Sequence, residues 1–167
     1  MKIMGLQKLT LLDFPGKVAC TVFLAGCNYR CPFCHNAELF GGKPEMLMTE
    51  EAFLAFLQSR KGLLEGVCVS GGEPTLTPNL DSFLQKIKTL GFAIKLDTNG
   101  SRPQVLKGLA QKGLLDYVAM DVKSSREGYA AATGVDADVE AVEESLRFLI
   151  DGDLPYELRT TLVSQLH

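Results

Sequence analysis

The sequence predicts an α/β fold with a parallel sheet of about five core strands and a short N-terminal hairpin. Three observations support this prediction. Short apolar runs alternate with amphipathic segments, the connections between them are short, and each unusual polar motif follows an apolar run. Strands and helices that alternate in this way form right-handed βαβ units and hence parallel sheets. Because ligands bind at the carboxyl ends of such strands, these motifs are candidates for a functional site.

The predicted strands are short runs rich in apolar and β-branched residues. They cover residues 18–24, 67–69, 92–96, 117–120 and 156–163. The first of them is preceded by residues 9–12 and by the turn-like segment 13–17, which contains Pro15 and Gly16. This arrangement predicts the N-terminal hairpin.

The predicted helices are recognised by their caps and by apolar residues at helical spacing. Thr49 is an N-cap candidate, followed by Glu50 and Glu51 at the positive end of the helix dipole, and Gly62 ends this helix. Further helices are predicted from Thr77-Pro78 to residue 91, over 103–112 and over 138–151. The predicted core faces are Ala52, Phe53, Phe56 and Leu57, then Leu80, Phe83, Leu84 and Ile87, and finally Val142, Leu146, Leu149 and Ile150.

The overall composition predicts one domain over residues 1–167 of a cytoplasmic protein. The chain has 167 residues, 46% of them apolar, with a net charge of −3 and a pI near 5.4. This charge gives no reason to expect nucleic-acid binding. The N-terminus does not resemble a signal peptide, and no run approaches the roughly 18–20 apolar residues that span a bilayer. We therefore expect neither a nucleic-acid nor a membrane partner.

Three of the five cysteines, Cys27, Cys31 and Cys34, lie within eight residues, in a loop directly after the first core strand. Clustered thiols and an odd cysteine count indicate metal chemistry rather than a disulfide framework. Three thiolates at the spacing C-x3-C-x2-C can bind three irons of a cubane and leave the fourth iron open. A zinc site is the minor alternative, with His35 as a poorly placed fourth ligand. Cys20 and Cys68 lie inside apolar strands and are interpreted as small buried hydrophobes.

With Phe33 before the third cysteine, this motif resembles the C-x3-C-x-aromatic-C signature of the radical S-adenosylmethionine (SAM) superfamily. The wider run 19–36, together with 5–8 and 13–17, is similar to the anaerobic ribonucleoside-triphosphate reductase activating proteins. The likeness covers nearly the whole chain. It implies a partial (βα) barrel of radical SAM type and a [4Fe–4S] cluster on Cys27, Cys31 and Cys34. Phe33 would then pack near the adenine of SAM or shield the cluster from water.

Gly71, Gly72 and Glu73 follow the second core strand. Glycines let a ligand approach the backbone, although a tight turn before a helix explains the same residues. They resemble the GGE motif, which implies that they bind the amino group of SAM.

Two further motifs end the third and fourth core strands. Asp97 begins Asp-Thr-Asn-Gly, which on its own could form an Asx-type turn. By resemblance to glycyl-radical-enzyme activases, it lies beside the SAM ribose or a bound monovalent cation. Alternation puts Asp121 and Lys123 on one face, where a surface ion pair is worth less than about 1 kcal/mol. The pair resembles the activases' D-x-K motif, which implies contact with the carboxylate region of SAM. Arg159 either reaches the same cavity or is solvated.

The resemblance implies that SAM is reductively cleaved at the cluster to a 5′-deoxyadenosyl radical, which abstracts hydrogen from a glycine of a partner enzyme. The expected partners are a glycyl radical enzyme, foremost an anaerobic ribonucleotide reductase, and a one-electron donor such as flavodoxin or ferredoxin. One alternative is a radical SAM enzyme that acts on a small molecule, as in 7-deazapurine synthesis, or on a peptide. Another is a non-catalytic metal-binding domain.

The number of strands leaves one structural question open. Many radical SAM domains have six βα units, whereas five core strands are predicted before His167. The chain is therefore either a compact activase with an open partial barrel or a truncated version of a longer protein.

Overall fold

The computed structural model describes residues 1–37, 46–164 and 166. Its strands are β1 (Ile3–Thr10), β2 (Ala19–Leu24), β3 (Gly66–Gly71), β4 (Ala93–Thr98), β5 (Tyr117–Asp121) and β6 (Tyr156–Arg159). Its helices are α1 (Glu50–Ser59), α2 (Leu80–Thr89), α3 (Pro103–Gln111), α4 (Tyr129–Thr133) and α5 (Val139–Asp151), with a 3-10 helix at Pro74–Leu76. His167, where the predicted pattern stops, lies outside the described residues.

The six strands form one sheet in the order β1-β2-β3-β4-β5-β6. β2 to β6 pair in parallel, which confirms the five predicted core strands and the α/β fold class. β1 pairs antiparallel with β2, so the N-terminal hairpin is also confirmed, but its first strand begins at Ile3. Residues 11–17, part of which was assigned to that strand, form the connection. The sheet does not close, since β1 and β6 are its two edges.

The two faces of the sheet differ in polarity. Val22, Val69, Leu96 and Met120 are fully buried and pack with the helices in one core. Strand side chains alternate between faces, so the neighbouring positions lie on the opposite side, here called the inner face. The inner face carries polar and charged side chains from five strands, namely Thr21, Cys68, Lys95, Asp97, Asp121, Glu157 and Arg159. This polarity makes the inner face the candidate for a site.

The predicted N-cap Thr49 is confirmed, and most of the predicted core residues are buried or half-buried. The first helix ends at Ser59, before the predicted Gly62. The Thr49 hydroxyl accepts a hydrogen bond from the Ala52 N–H at 3.2 Å, and Asp138 caps α5 in the same way. Ala52 and Ile150, however, were wrongly assigned to the core. Both are exposed, Ile150 by 54% of its surface. Each is next to a fully buried residue, and one step along a helix turns the side chain by about 100°.

Three local features differ from the prediction. α4 was missed because five residues are too few for a helical period to show. α2 begins at Leu80, because Pro74–Leu76 form a 3-10 helix and Asn79 takes a left-handed conformation with φ 58°. β6 ends at Arg159 rather than at residue 163. The longest described helix has 13 residues, and no described helix is long and apolar enough to cross a membrane.

Candidate functional site

The three clustered cysteines lie at the carboxyl end of β2, on the wall of a cavity of about 490 Å³. Small-molecule sites commonly have about 300–1,000 Å³, so this volume suits a nucleotide-sized ligand. The cavity is also lined by the ends of β3, β4, β5 and β6. Of the predicted site residues, it brings together Cys27, Cys31, Phe33, Cys34, Gly71, Gly72, Asp97, Asp121, Lys123 and Arg159.

The cysteine loop is held by three neighbouring segments. The Asn36 amide donates to the Gly71 carbonyl at 3.0 Å, which joins the loop to the end of β3. Asn28 donates to Ser101 and accepts from Asn99, both after β4. The Arg30 backbone N–H donates to the carbonyl of Thr133 at the end of α4 at 2.7 Å. The loop is therefore fixed to the sheet through the polar segments that follow its strands.

Gly71 and Gly72 are required by the contact between the cysteine loop and β3. Gly71 has a φ of 128°, and a methyl group there would overlap the backbone of Leu24. A methyl group on Gly72 would overlap the Gly26 carbonyl and touch the Cβ of Cys27. Both glycines line the cavity as predicted, but packing against β2 already explains why neither has a side chain.

Glu73 has a different environment from the one predicted. Its side chain is 1% exposed and does not line the cavity. Its carboxylate accepts hydrogen bonds from the hydroxyl of Thr98 at 2.8 Å and the backbone N–H of Asn99 at 2.6 Å, and two more from Thr75. Oε1 accepts three of these hydrogen bonds and Oε2 accepts one, so both carboxylate oxygens already bind groups of this chain. Contact between Glu73 and that amino group remains a prediction.

Asp97, Asp121, Lys123 and Arg159 form a charged network across the ends of β4, β5 and β6. Asp121 accepts from Lys123 at 2.8 Å and from Arg159 at 3.0 Å. A second nitrogen of Arg159 lies 3.5 Å from Asp97. The same-face placement of Asp121 and Lys123 is confirmed, and Arg159 does reach the cavity. Asp97 Oδ1 is buried and has no aligned hydrogen bond among the described residues, although the Lys95 ammonium lies 3.2 Å from it.

The three clustered thiols are all half-buried. Within the described part of the chain, no three Cys, His, Asp or Glu side chains converge closely enough to hold one metal ion. Burial raises the pKa of Cys27 and of Cys31 above the ordinary value of 9.0. Binding of a cluster would therefore displace protons from these two thiols.

The other two cysteines are buried, as predicted, but in different surroundings. Cys20 lies in the apolar core, where burial raises the pKa of its thiol to about 12. Cys68 is on the inner face, opposite Lys95 in the parallel register of β3 and β4. Burial, followed by the negative charge of Asp97, raises the pKa of Cys68. Neither residue lines the cavity.

Sequence reasoning missed several residues of the inner face. Lys95 is 1% exposed and lies 3.2 Å from Asp97, and Glu157 lies 3.0 Å from the same ammonium. Asp13, in the connection after β1, lines the cavity. One signal was available for Lys95, since a lysine within an otherwise apolar strand, two residues before Asp97, predicts a buried charge pair.

A family model described as the Radical SAM superfamily matches residues 21–164 of this chain. A provisionally named glycyl-radical enzyme activating enzyme of Methanocaldococcus jannaschii is 33% identical over 168 residues, covering 96% of this chain and 68% of the relative. A provisionally named GTP 3′,8-cyclase of Thermococcus kodakarensis is 35% identical over 147 residues, covering 84% of this chain and 46% of that relative. This chain thus spans less than half of the cyclase.

A similar fold occurs among solved structures. One of them, a protein designated anSMEcpe with bound S-adenosylmethionine, matches with a TM-score of 0.61 and 19% sequence identity. The match covers 80% of this chain and 41% of that protein. At this identity the match bears on the fold alone.

Proposed function

Since the chain belongs to the radical SAM superfamily, whose enzymes use a [4Fe–4S] cluster and SAM, we propose that it generates a glycyl radical on a partner enzyme. The observation that carries this proposal is the 33% identity to the M. jannaschii activating enzyme, because it extends over 96% of this chain. We propose an anaerobic ribonucleotide reductase as the partner, and flavodoxin or ferredoxin as the one-electron donor.

In this proposal, the thiolates of Cys27, Cys31 and Cys34 would hold the cluster. When bound, the cluster and SAM supply a 5′-deoxyadenosyl radical, using one electron from the donor. The Asp97 carboxylate accepts a ribose hydroxyl, and Lys123 faces the carboxylate of SAM. The residues of this chain thereby bind and orient the two groups, while Glu73 fixes the loops that carry the other contacts.

The place of the cavity is compatible with a protein substrate. The cavity lies at the carboxyl ends of the strands, which is the edge where ligands of such sheets bind. A glycine is a suitable target because it has no side chain and can enter a narrow site. Its Cα–H bond breaks as the hydrogen passes to the 5′ carbon, so that 5′-deoxyadenosine and a glycyl radical are formed. The cluster thiols also need a reducing compartment, for which we propose the cytoplasm.

The experiment is anaerobic EPR spectroscopy. Reconstituted protein, reductant and SAM are mixed with a candidate glycyl radical enzyme, and with the same enzyme after its acceptor glycine has been changed to alanine. We expect a glycyl radical signal with the first partner and none with the second. Cleavage of SAM without a radical on any candidate partner would contradict the assignment as an activase and leave membership of the superfamily unaffected.

A second candidate function is chemistry on a small molecule such as a nucleotide. It is favoured by the 35% identity to the T. kodakarensis cyclase over 84% of this chain. The same assay distinguishes the two functions, because a nucleotide substrate would stimulate formation of 5′-deoxyadenosine in the absence of any partner enzyme. A protein substrate would stimulate it only together with the glycyl radical signal.

A further inference from the structure

Lys95 places a fully enclosed ammonium group on the inner face, beneath the proposed SAM site. Its side chain lies in the middle of β4 and is 2% exposed. Lysine is almost never buried to this extent without a partner that compensates its charge. The ammonium therefore has a specific electrostatic environment.

Three oxygen atoms from three segments surround this ammonium. It donates to the Asp13 carbonyl at 2.6 Å, lies 3.0 Å from Glu157 Oε1 and lies 3.2 Å from Asp97 Oδ1. The ring of Tyr117 is 5.9 Å away. A hard cation is bound in proteins by oxygens of these types, carboxylates together with a backbone carbonyl.

The charges on this face are largely paired. Lys95, Lys123 and Arg159 carry three positive charges, and Asp97, Asp121 and Glu157, each within an ion pair, carry three negative charges. Asp13 adds a fourth carboxylate, which accepts a hydrogen bond from the Thr21 hydroxyl at 2.6 Å. Burial acts to lower the pKa of Lys95, but Asp97 and the other neighbours outweigh it and raise that pKa above 10.5. The ammonium therefore stays charged at neutral pH. An additional free cation beside Asp97 would face two fixed positive groups, from Lys95 and Arg159.

We propose that the Lys95 ammonium is a tethered cation, which takes the place of the free monovalent cation expected beside Asp97. Lys95 is then a positioning residue, because it fixes the Asp97 carboxylate towards the cavity without touching SAM. This inference rests on the proposed binding of SAM, and it does not depend on which substrate receives the radical. The oxygens around this position are therefore already occupied by the ammonium and do not fit the free monovalent cation that the sequence led us to expect.

The test is the affinity of the reconstituted holoprotein for SAM, measured by anaerobic titration calorimetry at constant ionic strength. The salt is potassium, sodium or choline chloride, and choline is too large to enter a carboxylate site. For the wild type we expect the Kd in the three salts to agree within about twofold. For Lys95→Met we expect a Kd in choline raised by roughly tenfold or more, and recovery in potassium or sodium.

Two further variants make the test specific. Lys95→Arg keeps the charge, so we expect its Kd to remain independent of the salt. Lys112→Met removes an exposed lysine, whose ammonium pairs with Asp81 at 2.7 Å, and should behave as the wild type. If Lys95→Met does not fold, a wild-type Kd that improves in potassium or sodium still contradicts the inference.

A wild-type Kd that improves by about tenfold in potassium or sodium would overturn the inference, and so would a Lys95→Met protein that binds SAM normally in choline. Either result would leave the proposed function intact. Absence of SAM binding by the wild type in every salt would instead overturn the proposed function, and this inference with it.

Discussion

The Glu73 carboxylate accepts a hydrogen bond from the backbone N–H of Asn99 at 2.6 Å, and this bond joins the loop after β3 to the loop after β4. The same two loops hold the cysteine loop, since the Glu73 N–H donates to the Gly26 carbonyl and the Asn99 amide donates to Asn28. Glu73 therefore lies at the junction of three segments that shape the cavity. We therefore expect Glu73 to influence the cavity by fixing the positions of these three segments.

The first prediction concerns the stability that this junction provides. In Glu73→Gln, an amide N–H₂ group replaces one carboxylate oxygen, and either orientation of the amide leaves a backbone N–H of Thr75 or Asn99 without its acceptor. Loss of one buried hydrogen bond should lower the free energy of unfolding by about 1–3 kcal/mol. Urea denaturation of the apo protein measures this difference. Glu127→Gln, at an exposed glutamate, is the control and should not change stability; an equal loss in both variants would contradict the prediction.

The second prediction concerns how the unfolding free energies of the wild type and of Glu73→Gln depend on pH. Burial raises the pKa of Glu73 above its ordinary value of 4.5, although the bonds from Thr75, Asn99 and Thr98 act in the opposite direction. A carboxyl group whose folded-state pKa is raised loses stability as the pH rises from its unfolded value through its folded value. Glutamine has no such titration. The difference in unfolding free energy between wild type and Glu73→Gln should therefore narrow as the pH rises above about 4.5, the ordinary pKa of a glutamate. A difference that widens would mean that the hydrogen bonds outweigh burial.

The third prediction separates the cluster thiols from the core thiols. Cys31→Ala should lose most of its iron and acid-labile sulfide after reconstitution, because it removes one of the three proposed ligands. Cys20→Ala should keep both, since Cys20 is fully buried in the apolar core and away from the cavity. Chemical analysis and visible absorption measure the content. One zinc per chain with no sulfide in the wild type would contradict both enzymatic functions and favour a non-catalytic metal-binding domain.

The fourth prediction concerns the two contacts that the Arg159 guanidinium makes with Asp121 and Asp97. Its guanidinium reaches Asp121 at 3.0 Å and Asp97 at 3.5 Å, and a lysine ammonium cannot keep both contacts in this geometry. Because the side chain is 41% exposed, we expect Arg159→Lys to change stability by less than about 1 kcal/mol. We expect the Kd for SAM to rise by roughly three- to tenfold as the two carboxylates move. Arg126→Lys, at a surface arginine that bridges Glu140 and Glu143, is the control and should bind SAM normally.

Much of the fold could be predicted because local signals and tertiary packing agree. Cap residues such as Thr49 and apolar spacing such as Phe83 to Ile87 act within one helix, so the sequence carries them directly. The bounds of β6 and the helix at Tyr129–Thr133 could not be predicted in this way. These elements are short, and their limits depend on contacts with distant segments, such as the bond from the Arg30 N–H to the Thr133 carbonyl.

The position of a site residue could be predicted where one motif marks one strand end, as for Cys27 or Asp121. The side chains that pair with these residues across the sheet could not be predicted. Lys95 lies deep in β4, and its pairing with Glu157 spans 62 positions of the chain and depends on β5 lying between the two strands. Glu73 was assigned to SAM because its motif resembles one that binds it, and nothing in the sequence indicated its hydrogen bonds from Thr98 and Asn99 of the next strand and loop. These long-range contacts depend on the register of the sheet rather than on a local pattern.

The fifth prediction tests whether Gly72 is required because there is no space for a side chain or because of its backbone conformation. Its φ is not in the left-handed region, so an alanine meets no backbone penalty there, and its methyl group would overlap the Gly26 carbonyl beside Cys27. Because backbone cannot rotate away as a side chain can, Gly72→Ala should lower the unfolding free energy by about 1–3 kcal/mol and displace the cysteine loop. The displaced loop should also take up less iron and sulfide.

The matched control is Gly108→Ala in the middle of α3, where the methyl group meets nothing within 4 Å and should stabilise the protein by about 0.5–1 kcal/mol. Thermal unfolding and iron analysis of both variants measure the contrast, and a Gly72→Ala protein that is stable and takes up a full cluster would show that the two loops can separate without loss of the site.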